Sequence, residues 1–536
     1  MATPSEKLAE SLEALKALQD VGAVAIRSDS LTRTHRERLL KNGFLQEVMK
    51  GWYIPSSPND RDGDTTPWYA SFWDFCATYL RERFGTTWCI APEQSLKLHA
   101  GNRTVPAQLL VRAEKGGNKP TRLLHGTSIF DVRAALPPAK DIVEENSLRL
   151  YKPAAALVEA SAGFFAQKPT DARTALALFT DASEILTHLL EGGHSVVAGR
   201  LAGAFRNIGR ERIADDIIKN MEAAGYAVRE TDPFEGRLQF DLPARERSAY
   251  AGRIRLMWQA MRADIADNFP PAPGRPNDIE AYLKHVEDIY VTDAYHSLSI
   301  EGYRVSPALI ERVRSGNWNP DQDEQDREHR DALAARGYHL AFQAVKTSVR
   351  AVLGNENPGP VADRNHGDWY RELFAPSVTA GLARPADLAG YRSDRVFIRN
   401  SMHVPLPPHA VRDAMPVFFE LLAAEENPAV RIVLGHFIFV YIHPYMDGNG
   451  RMGRFLMNVM LAAGGYPWTV IPVERRNDYM AALEQASVHQ NISPFASFVG
   501  GLVNDGLRGR PVAKVPDEAQ ARQQREAGPE WEGTGQ

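Results

Sequence analysis

Between His443 and Arg454 the chain reads HPYMDGNGRMGR, a run of side chains suited to moving a phosphorus-bearing group. Of all side chains, histidine titrates nearest neutrality, so His443 can take a proton from an incoming hydroxyl. Asp447 places a carboxylate beside the loop, which suits a magnesium ion bridging phosphate oxygens, because hard cations prefer oxygen donors. Gly448 and Gly450 flank Asn449 and allow a tight bend whose backbone N–H groups lie open to a phosphate. Arg451 and Arg454, three residues apart, fall on one side of the following helix and can grip different phosphates of one nucleotide. Together these parts describe a nucleotidyl transferase. His436 has no third ligand at metal spacing and is read as a packed core histidine.

The elements that must aim these groups are legible in the flanking residues. From Ile432 to Ile442 the chain is apolar nearly all round, which predicts a helix buried in the middle of its domain. Pro444 stops it, so one imidazole points out of a rigid core. FLMNVMLAAG then resumes as a helix, whose N-terminus adds the positive end of its dipole to the glycine bend.

The run HPYMDGNGRMGR resembles the Fic signature: His, Pro, Phe, any residue, Asp or Glu, Gly, Asn, Gly, Arg, any two, Arg. Tyr445 stands where the family has Phe, keeping the bulk but asking for a partner for its hydroxyl. The resemblance implies transfer of AMP from ATP to a Ser, Thr or Tyr hydroxyl of a target protein, with His443 as base and Asp447 holding Mg2+. It also implies that Asn449 and the loop amides face the α-phosphate while Arg451 and Arg454 hold the β- and γ-phosphates. GYRSDRVFIRNSMHVPLPPHAVRDAM, from Gly390, resembles the Fic flap, a β-hairpin over the site that pairs with the target backbone. Ile398, Arg399, Asn400 and Ser401 are therefore expected to line the nucleotide and target channel. VERRNDYMAALEQA is similar to the segment lining the adenine pocket, with Tyr479 offered for stacking.

Upstream, HSLSIEG carries Ser297, Glu301 and Gly302 and matches the inhibitory Fic motif of Ser or Thr, three residues, Glu, then Gly or Asn. Its place before the core resembles the class with an N-terminal inhibitory helix, in which Glu301 would pair with Arg454 and take the cation meant for the γ-phosphate. The same glutamate, orienting a water, would suit the reverse reaction, removal of AMP.

At the other end, Leu8, Leu12, Leu15 and Leu18 share one face of a first helix. A second helix follows, capped by Ser28 or Ser30 and closed by Gly43, and FLQEVMKGWYIP alternates like a hairpin turning near Gly51. This order suggests a winged helix-turn-helix, with Arg33, Arg36, Arg38 and Lys41 on the second helix and Lys50 on the wing as candidate DNA contacts. LTRTHRERLLKNGFLQEVMKGWYIP resembles the winged helix of AbiEi-type antitoxins, and IAPEQSLKLHAGNRTVPAQLLVRA is similar to the domain that follows it there. A DNA-binding regulator, with the Fic part as sensor, is thus the alternative to an enzyme.

At 536 residues with a formal net charge of -5, the chain is too long for one core and too acidic to coat nucleic acid. Cys76 and Cys89 form no metal or disulfide pattern, and the N-terminus does not read as a secretion signal, so a cytoplasmic protein off the membrane is expected. The expected fold is mainly α. Residues 1–60 would be the winged helix and 61–250 a mixed α/β and helical regulator-like domain. A linker at 251–280 (NFPPAPGRPND marking the break) would precede an inhibitory helix at 281–310, a Fic core at 311–506 and a disordered tail at 507–536. Beyond ATP and a target protein, DNA and a second copy of the chain are the partners left open.

Overall fold

The computed structural model describes residues 3–58, 64–234, 248–266, 268–316, 330–510 and 513–515. It is mainly helical, and its contacts divide it into two units. One comprises residues 1–253 with Phe397–Val404, the other 254–396 with 405–536.

The first unit opens with α1 (Pro4–Asp20), held at its start by a capping box between Thr3 and Glu6. β1 (Ile26–Arg27), α2 (Arg33–Lys41) and the hairpin β2 (Leu45–Met49) and β3 (Trp52–Pro55) follow, the strands ordered β1-β3-β2. Gly51 turns the hairpin with φ +82° and Gly43 follows α2 with φ +74°, as the sequence predicts. The cap of α2 is Thr32, not Ser28 or Ser30: Thr32 sits in extended backbone and its hydroxyl accepts from His35 N–H.

α3 (Thr66–Phe84) leads into β4 (Trp88–Ile90), α4 (Pro92–His99), β5 (Gln108–Ala113), β6 (Pro120–Arg122) and β7 (Ser128–Arg133). These strands form a sheet ordered β4-β5-β7-β6 in which β5 and β7 run parallel, and β8 (Ile142–Glu145) pairs separately with β9 (Leu148–Tyr151). Trp68, Phe72, Phe75 and Trp88 anchor the core of this region. Helices α5 (Pro153–Glu159), α6 (Ala162–Gln167), α7 (Pro169–Ala177), α8 (Ser183–Gly192), α9 (Ser195–Asn207) and α10 (Glu211–Ala223) complete the unit.

The second unit begins inside α11 (Ala249–Ala266), so the break does not fall in the proline-rich stretch. Polar contacts to a buried carboxylate explain why: Arg262 and the Trp258 indole both donate to Glu425, at 3.0 and 3.1 Å. Tyr466 in turn donates to the Pro270 carbonyl, tying down the prolines that sequence reads as a linker. There follow α12 (Ile279–Ile300), α13 (Pro307–Arg314), α14 (Arg330–Leu353), α15 (Pro358–Thr379), α16 (Pro408–Ala424), α17 (Pro428–Ile442), α18 (Asn449–Gly464), α19 (Arg476–His489) and α20 (Ser493–Leu507). α17 is buried on almost every side, as its composition predicts. The expected disordered tail lies, from residue 516, outside the described residues.

Candidate active site

His443 is the residue that ends α17, and it does so with φ 55° and ψ 62°. Left-handed backbone is costly for a side chain with a Cβ, so it persists only where the surroundings demand it, and it turns this ring out of the helix direction. His443 Nδ1–H donates to the Val440 carbonyl at 3.1 Å. Because a carbonyl can only accept, this fixes the proton on Nδ1 and leaves the Nε2 lone pair to receive one. Burial pushes the imidazole down to about 4, against the pull of the Val440 carbonyl, so the ring is neutral at physiological pH.

A second device, which sequence does not single out, holds this helix end. Arg392 is 2% exposed and donates through Nε to the His443 carbonyl at 2.7 Å, through Nη1 to Asp394 O at 2.9 Å, and through Nη2 to Leu406 O. Its backbone N–H donates to Pro444 O at 2.9 Å. A cation among the carbonyls of a helix C-terminus is favoured by the helix dipole as well as by hydrogen bonding. Arg392 thereby fastens the chain on both sides of the flap segment to the residue carrying the imidazole.

The glycine bend follows. Gly448 takes φ +77° as the N-cap of α18, and Tyr445 is buried in a parallel stack on Tyr370 with centroids 3.8 Å apart. Asn449 closes the loop: its Oδ1 accepts from Tyr445 N–H and its Nδ2 donates to Tyr445 O, both at 2.9 Å. The amide thus holds the bend through one donor and one acceptor. Asp447 Oδ1 accepts from Gly448 N–H at 2.6 Å while the side chain stays largely exposed.

Among the described residues, no group of three or more His, Cys, Asp and Glu is placed to hold a metal ion. A magnesium ion commonly takes one or two protein carboxylates and leaves its other positions to phosphates and water. Asp447 fits an ion that arrives with the nucleotide.

Both arginines are inside. The Arg451 guanidinium lies between the rings of Tyr303 and Phe374, 5.2 and 5.0 Å from their centroids, and its Nε has no protein partner. Stacking between two aromatic faces orients a guanidinium without consuming its donors. Arg454 donates from Nε to Ser297 Oγ at 2.8 Å and from Nη2 to Ser297 O at 3.0 Å and Glu301 Oε1 at 2.7 Å, leaving Nη1 buried without a partner. Spare buried donors beside a glycine bend are features that suit a polyphosphate.

Glu301 reaches this bend. A Cβ built on Gly450 would run into its carboxylate, so a protein anion stands at the N-terminus of α18. Burial by itself would raise the carboxyl, but Arg454 and Arg451 outweigh it and hold Glu301 below the usual carboxylate range. Glu301 caps α12, Gly302 turns the chain with φ +86°, and Arg476 donates to the Ile300 carbonyl, fixing the helix end that carries the carboxylate.

Residues 368–461 match the Fic/DOC family model. The Fic/DOC segment runs from within α15 to within α18, so it contains Arg392, His443 and the glycine bend but neither Glu301 nor Tyr479. A protein adenylyltransferase Fic of Nematostella vectensis is 40% identical over 123 residues, 22% of this chain and 28% of that protein. Another, of Drosophila yakuba, is 29% identical over 232 residues, 42% of this chain and 41% of the relative. The chain thus spans less than half the length of these relatives. Among solved structures, Fic-1 (aa134 - 508) from C. elegans aligns at 18% identity with a TM-score of 0.36, over 61% of this chain and 91% of that one, a likeness too loose to carry argument.

Two sets of expected residues fare differently around the Fic/DOC segment. The flap stretch from Gly390 has no strand pairing, and Phe397–Val404 belongs with the first unit. There Asn400, at φ 57°, accepts from Thr65 N–H at 3.0 Å, Arg399 approaches Asp64 at 3.6 Å, and Met402 O accepts from Val105 N–H at 2.9 Å. Ser401 is buried beside Ile398, whose carbonyl accepts its N–H at 3.2 Å. The backbone groups an added strand would use are in part already bonded. Tyr479 is 1% exposed, shares a 2.7 Å hydrogen bond with His436 Nε2, and packs on Phe495 and Phe498. Its ring serves the core and has no open face for a base.

Proposed function

We propose that the protein is an adenylyltransferase that moves AMP from ATP to a Ser, Thr or Tyr hydroxyl of a target protein, restrained by Glu301. The observation that carries this reading is the Glu301 carboxylate at the glycine bend, paired at 2.7 Å with Arg454: a side-chain anion stands where a phosphate would bind. In the reaction the hydroxyl oxygen bonds to the α-phosphorus, the bond from that phosphorus to the bridging oxygen breaks, and pyrophosphate leaves. The hydroxyl proton goes to His443 Nε2, the nitrogen not committed to Val440. Arg454 Nη1 and the amides opening α18 would stabilise charge on the phosphates. Asp447 would hold a magnesium ion, which would neutralise further phosphate charge.

Glu301 and the γ-phosphate compete for one guanidinium, so Glu301→Gly is expected to raise transfer about tenfold or more, the equivalent of ~1.4 kcal/mol. The measurement is labelled-ATP transfer onto the protein itself and onto a cell lysate, with mass spectrometry of labelled bands. Adding His443→Ala should lower transfer by about two to four orders of magnitude while ATP still binds. Unchanged transfer on loss of Glu301 would remove the brake, and loss of ATP binding with His443 would make that residue structural. The reverse reaction draws on the same carboxylate, held ionised by Arg454 and Arg451 and able to accept a proton from water. Release of AMP from a modified target that fails without Glu301 would favour removal over addition.

A DNA-binding role for the first unit is the second reading, supported by exposed Arg33, Lys41 and Lys50. Two other candidates serve the module itself. Arg36 donates to Ser28 O, and Arg38 to Lys7 O and Ser11 Oγ, joining α2 to α1. Replacing Lys41 and Lys50 with Ala should reduce a salt-sensitive shift of promoter DNA and flatten its salt slope by about two; no shift at low salt would end this reading.

A further inference from the structure

Asp293, Ser297 and Glu301 follow one another at four-residue steps and so form one stripe along α12. The known uses of the stripe stop at Ser297 and Glu301. One turn earlier, Asp293 is 4% exposed, with Oδ2 accepting from the Tyr338 hydroxyl at 2.6 Å. Around it are Tyr338 from α14, Arg454 from α18, the Trp468 indole from the chain beyond α18, and Tyr290 from its own helix. Only one of these is a cation, and it is the arginine held by Ser297 and Glu301.

We propose that the Asp293 carboxyl, one helical turn from the Ser297 that holds Arg454, takes up a proton when an anionic triphosphate arrives at that arginine. The inference rests on the reading that Arg454 receives phosphate. In the resting state one buried guanidinium answers two carboxyls, Glu301 in contact and Asp293 at longer range. Glu301 is answered by Arg451 as well, so the compensation is thinnest at Asp293, and Arg454 Nη1 is open. Bringing a polyphosphate onto the same guanidinium displaces Glu301 but leaves Asp293 behind it, in surroundings that screen charge poorly. Adding a proton to Asp293 relieves the repulsion at the smallest cost. Its carboxyl is poised for this: burial pushes it up to about 6, while the Tyr338 hydroxyl, the Trp468 indole and Arg454 hold it back.

The linkage has a definite sign. An incoming anion raises the Asp293 carboxyl further, so binding takes up protons, and affinity for ATP falls as pH rises through 6 to 7. Tyr338→Phe removes a hydrogen bond that favours the ionised form and should move that midpoint upward. This pH dependence lies in nucleotide affinity, whereas protonation of His443 acts on the chemical step nearer pH 4.

The test is calorimetric titration of ATP into the full-length Glu301→Gly protein at pH 6.5, in buffers of different ionisation enthalpy, with and without Asp293→Asn. Asn keeps the shape and the capacity to accept from Tyr338 but cannot titrate. Subtracting the two cancels the protonation of the nucleotide itself. A one-unit rise at Asp293 corresponds to uptake of about half a proton in the parent and none at this site in the Asn form. If the Asn form does not fold, the upward shift in the Tyr338→Phe protein carries the test. Equal proton uptake in parent and Asn form, or an unmoved midpoint in Tyr338→Phe, overturns the role of Asp293 while ATP binding stands. A parent that binds no ATP overturns the phosphate reading of Arg454 and this inference with it.

Discussion

His443, Asp447, Gly448, Gly450, Arg451 and Arg454 are recognisable in sequence because their chemistry and spacing are local. Each lies within twelve consecutive positions, and a helix–bend–helix follows from Pro444 and the glycines. The residues that orient them are not local and carry no such signal. Arg392 lies 51 positions from the carbonyl it grips, and Tyr303 and Phe374 reach Arg451 from separate segments. The quoted flap stretch contains Arg392, but no periodicity marks an arginine as a clamp. Replacing it with Lys keeps the charge and loses the fork of donors that reaches several carbonyls at once. Arg392→Lys is therefore expected to lower kcat by about tenfold or more, through misplacement of the His443 ring, with ATP affinity little changed. Transfer kinetics and direct ATP titration on the same protein separate the two effects.

For the elements, sequence did best where hydrophobic patterning was strong. α17 is apolar all round and buried, and the hairpin and the end of the second helix lie where turn glycines put them, although the cap of that helix is Thr32. The division between units falls at residue 253, within the 251–280 range expected for the linker but ahead of its prolines, where Pro270 is fastened by Tyr466. The flap was read as a hairpin because its residues resemble one, yet its backbone groups find partners other than a facing strand. Packing between α14 and α15 depends on Gly337, where a Cβ would meet the Leu373 carbonyl, a backbone atom that cannot swing aside. Gly337→Ala should cost about 1–3 kcal/mol, read as a lower urea midpoint, despite the better helix propensity of Ala. An unchanged midpoint would mean the two helices separate without penalty.

Over the whole molecule, buried histidines link stability to pH. His436 is fully buried, and burial pushes it down to about 4, against the backbone of Gly453. Its folded value lies below the ordinary one, so the stabilisation is complete above about pH 6.5 and is lost as pH falls toward 4. At pH 5 the loss from this one ring is about 2 kcal/mol. His436→Gln should flatten the difference in urea stability between pH 7 and pH 5 by about that amount, and an equal pH slope in both proteins would contradict it. His443 contributes in the same direction, while the raised carboxyl of Asp293 contributes in the opposite one, so the comparison with the Gln form isolates His436.

By itself the sequence determined the candidate side chains, the helix and bend that present them, and the glutamate proposed to oppose them, because all of these follow from residue type and short spacing. Only the tertiary structure decided that Glu301 meets Arg454, 153 positions away, that Asn449 bonds across the bend, that Tyr479 packs in the core, and that Asp293 is buried against Tyr338. Contacts between distant segments depend on how helices pack, and burial, which sets the charge of His443 and Asp293, exists only once that packing is complete.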